Sequence, residues 1–411
     1  MGLQKKMRRM ILVMSIALSL LLVSGGLAEV RQVSAETNGR VTQTDWKDDA
    51  GNLCAGPEGY ATVRYSYKKD VTTETYFDAE GNPFRVAGGY YGRALTRDGK
   101  NRIIQEEFLD ENGQRTLNLK GYAMVSTVYY GFGDVRSVTY YGLNKKPVTV
   151  PSLGYASVYA EYSNKTMTSR TFRDPKGNPV DGADGYAVVK QKVNKKFQVI
   201  RIRYEHADGT PAVGPDGWYR CVKDRDDNGR IISIKYYDTN EQLTDRGTWY
   251  AWEEREYPSE NTVKVTRYNL NGDKAADKAG VVTTIREMKD DRIVKESFLN
   301  AGGEAAANGI GVYAVLYTYD HEGRIESVSY EDANGNPMLC SGGYAGYRDT
   351  RDEDGITVSR VFLGTDGLPT EIADGYSEIR YIYDETKTLQ TTRCYDANGT
   401  LVQTDEESGG E

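Results

Sequence analysis

The chain has 411 residues, 44 of them Gly and 32 Tyr against 8 Phe and 4 Trp, with a formal net charge of −8 at pH 7. Past its first ten residues this acidic chain has no basic cluster, which argues against nucleic acid or anionic lipid as a partner, because phosphate binding needs clustered Lys and Arg. Tyr is a strand former with an apolar ring and a polar tip, so its excess over Phe points to a thin, half-wet β core.

In chain order, residues 1–28 read as a secretory signal. Lys5, Lys6, Arg8 and Arg9 form the basic region, Ile11 to Val23 is apolar apart from Ser15 and Ser19, and Gly26-Leu27-Ala28 supplies small residues. Cleavage is expected after Ala28, with Ala35 as the alternative; the apolar run is short for a membrane span. Removing it leaves 48 basic against 60 acidic residues, a net charge of −12. The expected address is secreted or cell-surface, with no membrane span after signal removal.

Residues 29–58 read as a linker and a half-repeat cap, since Asp48-Asp49-Ala50-Gly51-Asn52 has the turn of the later units without the strand before it. From there glycines recur at Gly59, Gly89, Gly121, Gly154, Gly185, Gly217, Gly247, Gly280, Gly311, Gly343 and Gly375, a spacing of 30 to 33 residues. A fixed period of that size marks a repeat array in which each unit leans on its neighbours.

Each unit holds two strand-like pieces. At even offsets from the glycine stand Ala61, Val63, Tyr65 and Tyr67, or Ala123, Val125, Thr127 and Tyr129, with mainly polar residues between, the period-two signature of a half-buried strand. The second piece ends in an aromatic pair, as at Tyr140-Tyr141 and Tyr236-Tyr237. Asp-x-x-Gly segments such as Asp226 to Gly229 predict type I turns closed by a left-handed glycine. Pro83, Pro147, Pro179, Pro211, Pro337 and Pro369 share one phase, where a residue unable to donate marks a strand end. The fold class is therefore all-β: a linear or gently coiled, solenoid-like array of eleven tandem hairpins over 59–405, with 406–411 a disordered tail. A propeller, with four strands per blade and about eight blades at most, accommodates this pattern poorly.

Tyr319-Asp320-His321-Glu322-Gly323 and Tyr395-Asp396-Ala397-Asn398-Gly399 resemble the Tyr-Asp repeats of bacterial secreted Rhs-type proteins. The Gly-Tyr openings are more loosely similar to aromatic hairpin repeats of cell-wall-binding and clostridial-toxin modules, although the period here is longer than theirs. The resemblance implies a secreted bacterial repeat protein.

The candidate binding residues are the aromatics at the first offset, Tyr60, Tyr90, Tyr122, Tyr155, Tyr186, Trp218, Tyr344 and Tyr376, expected on the face opposite the apolar stripe; Thr248, Val281 and Val312 interrupt them. Evenly spaced rings on a wet face suit a glycan or cell-wall polymer held at low affinity per site and by avidity overall. The alternative is that each ring packs against the adjacent hairpin, leaving a structural spacer or surface-layer component. A secreted glycan hydrolase is a further alternative, but no catalytic motif appears, and no enzymatic activity or cofactor is expected. Asp224 to Gly229 opens like a calcium loop, yet Lys235 stands where a bidentate acid is required. His206 and His321 read as turn residues, and Cys54, Cys221, Cys340 and Cys394 as free thiols.

Overall fold

The structure, a computed structural model, describes residues 30–352, 354–383 and 389–406. The expected signal segment and the tail beyond residue 406 lie outside these. The strands form one antiparallel sheet of 25 strands, in which each pairs with the strand before and after it in the chain. No helix occurs among the described residues. The first and last strands pair only with their chain neighbours, so the sheet is open rather than closed.

The described residues begin with a complete hairpin, β1 (Arg31–Thr37) and β2 (Arg40–Lys47), where the sequence pattern suggests only a half unit. Every residue of β1 is exposed, so it carries no apolar alternation to read. Its signal is the two-residue turn: Asn38 and Gly39 both take positive φ, 55° and 72°, the geometry that joins twisted strands most directly. At the other end the strand Leu401–Glu406 adds an edge, where a tail was expected from residue 406.

The first full unit shows the common design. Strands β3 (Thr62–Lys68) and β4 (Val71–Phe77) pair from Thr62 opposite Phe77 to Lys68 opposite Val71. Ala61 and Val63 are buried while Arg64 and Ser66 are exposed, as the period of two predicts. After β4 the Asp78 carbonyl accepts the Gly81 N–H at 3.2 Å and its carboxylate accepts the Asn82 N–H at 2.7 Å, with Gly81 left-handed at φ 84°. Pro83 then bridges Phe77, and the five other prolines of this phase make the equivalent bridge. A second tight turn, closed by Gly89 N–H to Val86 O at 2.8 Å, folds over one face before the next strand begins.

That excursion takes up part of the space between hairpins. Within the unit of Val188–Val193 and Val199–Glu205 the ladder runs the strand length, but to the preceding hairpin it runs only from Ser169–Lys190 to Thr171–Val188. Where neighbouring hairpins splay, side chains at the eighth offset from the glycine, the tenth in the unit of Gly247, span the gap. Tyr67, Tyr129, Tyr257, Tyr319 and Tyr383 each donate the phenolic hydroxyl to a backbone carbonyl 26 residues earlier, at 2.6–3.0 Å. Arg225 and Arg351 reach the same place with a guanidinium.

Candidate functional site

The first-offset aromatics belong to the core face. The ring of Tyr60 lies 4.9 Å from that of Tyr76, which stands directly opposite Val63, and Tyr60, Val63, Tyr76 and Val86 share one cluster. The expectation of an opposite face fails because Tyr60 precedes the strand. It sits in a turn closed by Gly56 N–H to Tyr60 O and Gly59 N–H to Gly56 O, so strand alternation does not govern where its ring goes.

These rings interleave with the aromatics that end each second strand. The series Tyr60, Tyr76, Tyr90, Phe108, Tyr122, Tyr140, Tyr155, Phe172, Tyr186, Tyr204, Trp218, Tyr236 is continuous, with centroid separations from 4.4 to 6.5 Å. It resumes as Tyr330, Tyr344, Phe362, Tyr376. Tyr186 and Trp218 are only 2% and 5% exposed, and the other six candidates are half-buried. Burial raises the phenol of Tyr140 to about 12 and pushes those of Tyr60, Tyr204 and Tyr236 above the ordinary tyrosine range.

The series is interrupted between Tyr236 and Tyr330. In the other units the residue whose N–H bonds the carbonyl that ends the second strand follows its glycine by two positions, as Ala61, bonded to Phe77 O, follows Gly59; Ala251, which makes the equivalent bond to Tyr268 O, follows Gly247 by four. The residue in phase with Tyr60 is therefore Tyr250 rather than Thr248, and the two-residue insertion brings Trp249 with it. Arginines replace rings here: Arg246 lies 3.8 Å over Tyr236 and 4.9 Å over Tyr250, and Arg267 lies 5.4 Å over Trp249. Beyond them Val281 fills a ring position with a smaller side chain, and a cleft of about 350 Å³ opens between Trp249, Arg267, Asp277 and Phe298. Trp249 is 37% exposed. Arg286 and Tyr317 hold Glu296 on the cleft wall, at 2.7 and 3.0 Å.

The turn aspartates have structural partners. The Arg102 side chain, followed by its backbone N–H, holds the Asp98 carboxyl down at about 2. Backbone N–H groups, those of Asn52, Asn336 and Thr400 foremost, lower Asp48, Asp332 and Asp396. Asp226, in the calcium-like segment, is lowered too and accepts from Arg230 at 2.7 Å. A general acid needs displacement in the opposite direction. His206 pairs with Asp181 of the preceding unit at 2.7 Å, and His321 is exposed beside Glu322. Cys221, Cys340 and Cys394 are buried free thiols at three different phases of the unit.

The sheet register also gathers basic residues that are scattered in the sequence. On the face away from the rings, Lys190 stands opposite Arg203 and Lys192 opposite Arg201.

No family model and no curated protein matches the sequence. Among solved structures, a crystal structure of TcdB2-TccC3-TEV is similar over 92% of this chain and 22% of that one, at 11% identity and TM-score 0.30. The Tc holotoxin pore of Photorhabdus luminescens is similar over 89% of this chain and 22% of its own, at 11% identity and TM-score 0.27. The chain thus spans about a fifth of the length of those it matches.

Proposed function

We propose that this is an exported, non-catalytic repeat protein that acts as an extended scaffold or spacer, its aromatic ladder serving the packing of one hairpin on the next. The observation that carries this reading is the continuous ring series from Tyr60 to Tyr236, in which each candidate ring already has an aromatic neighbour on each side or at its end. A ring engaged on both sides has no free face for a sugar, whereas an array needs such contacts at every step. The depressed turn aspartates favour a non-catalytic role.

Glycan binding is the second reading, favoured by one observation. Trp249, partly exposed beside Arg267 at the interruption, is the kind of ring and cation that can hold a single sugar unit. The two readings separate in one experiment. Tyr122→Ala combined with Tyr155→Ala should lower the thermal midpoint sharply and leave retention on a glycan array as it was in the parent. Loss of glycan retention at unchanged stability would transfer the ladder to the binding reading.

A further inference from the structure

We propose a second site, on the face opposite the ring ladder: a groove that binds a linear, phosphate-rich polyanion without bases. The groove has a volume of about 550 Å³ and runs across the strands Thr166–Arg173, Val188–Val193 and Val199–Glu205. Its floor carries Lys190, Lys192, Arg201 and Arg203, with Arg173 and the hydroxyls of Ser169 and Thr171 along one side.

The charge arrangement needs an explanation from outside the chain. Like charges placed directly opposite on neighbouring strands destabilise a sheet. Here two such pairs lie in succession, Lys190 with Arg203 and Lys192 with Arg201. Glu205 resolves the first, accepting Lys190 Nζ at 2.6 Å and Arg203 Nε at 2.8 Å from a nearly buried carboxylate. Among the described residues, nothing comparable reaches Lys192 or Arg201: no carboxylate lies within ion-pair distance of either. Glu161, the acid that lines the groove, accepts from the Ser169 hydroxyl at 2.7 Å. The Nε of Arg173 is buried and has no acceptor. A chain of net charge −8 thus places adjacent cations on one concave surface and leaves Lys192 and Arg201 without a carboxylate partner, while Arg173 lies 5.0 Å over the Tyr159 ring.

Pairs across strands stand about 5 Å apart and alternate residues along a strand about 7 Å apart. Consecutive charges of an anionic chain lying in the groove can meet several of these cations at once. Guanidinium forks and the nearby Thr171 hydroxyl suit tetrahedral phosphate oxygens. No aromatic residue lines the groove, so neither nucleic-acid bases nor sugar rings find a stacking platform. That selects a base-free phosphate chain.

The test uses the full exported chain and long-chain inorganic polyphosphate as probe, followed by calorimetry or fluorescence anisotropy. Lys192→Gln with Arg201→Gln should weaken binding at least tenfold. Lys120→Gln with Lys278→Gln, which makes the same change in net charge at exposed sites elsewhere, should leave it unchanged. Affinity should fall by about tenfold or more between 50 and 200 mM salt if three or so charges are neutralised. Polyphosphate should raise the thermal midpoint of the parent and not of the groove variant. No measurable binding, equal loss in both variants, or tighter binding of a single-stranded oligonucleotide or a polyuronate would each overturn the assignment.

Discussion

The hydroxyl of Tyr319 donates to the carbonyl oxygen of Ile293, in the preceding hairpin, at 2.6 Å. The bond sits where adjacent hairpins have stopped pairing through their backbones, so the phenol replaces a missing rung. It gives the five bridging tyrosines a physical reason not to be Phe, which has no hydroxyl to reach across. Tyr319→Phe should therefore cost about 1 kcal/mol, the net value of one hydrogen bond, with the ring contacts retained. Tyr204→Phe, at a ladder position with no hydroxyl bond of this kind, should be close to neutral. Urea unfolding of the two variants makes the comparison, and equal losses would remove the bridging role.

Tyr155 and Phe172 stack face to face, with centroids 4.4 Å apart and planes 3° apart, and Phe172 is 5% exposed. Phe172→Ala should destabilise the array by about 3–5 kcal/mol, the usual cost of emptying a buried aromatic site. Phe132→Ala, at a 43% exposed ring on a hairpin tip, should cost much less. Nearest-neighbour coupling adds a second expectation: the Phe172 variant should lose hydrogen-exchange protection first in the units around 154–186.

The all-β array was legible because its determinants are local. The glycine phase, the Asp-x-x-Gly turns and the shared proline position each fix backbone geometry within a few residues, and Gly81, Asp78 and Pro83 adopt the expected roles. The ladder residues could be listed but not placed, because Tyr60 lies in a turn where alternation has not begun. Tyr250 escaped notice because a two-residue insertion moved it out of phase with Gly247. The pairing of Lys192 with Arg201 depends on strand register, which composition does not encode; the eight intervening residues hide a contact between direct neighbours. The Asn38-Gly39 turn, by contrast, was present as a signal and announces the first hairpin without any apolar stripe.

The Asp98 carboxyl predicts an acid limb of known sign. Its pKa in the folded chain is about 2, against an ordinary aspartate value of about 3.9, so the folded state favours the charged form. The stabilisation is present above the unfolded value and is lost as pH falls from about 4 through about 2. Arg102→Gln removes the leading cause, the side-chain hydrogen bond, and should bring the Asp98 titration back toward 3.9. Carboxyl NMR titration of parent and variant reads this directly. An unchanged Asp98 midpoint would show that the turn backbone alone sets it.

Three buried thiols provide a test of how the array comes apart. Cys221, Cys340 and Cys394 lie in the sixth, ninth and eleventh units, all in the core. Burial raises the Cys221 thiol to about 11 and displaces Cys394 in the same direction, which withholds the reactive thiolate at neutral pH. Cys54 is less buried and should be alkylated first in the native chain. With rising urea, a single cooperative stack predicts that the three buried thiols become reactive at one midpoint. Stepwise fraying predicts that Cys394, in the unit beside the terminal strand, becomes reactive at lower urea than Cys221. Mass spectrometry of pulse-alkylated peptides distinguishes them. The single midpoint is the expected result; if the array divides, the interruption at Trp249 and Val281 is the place, and Cys221, paired with Tyr236 at the end of the unbroken ladder, then becomes reactive apart from Cys340 and Cys394 beyond it.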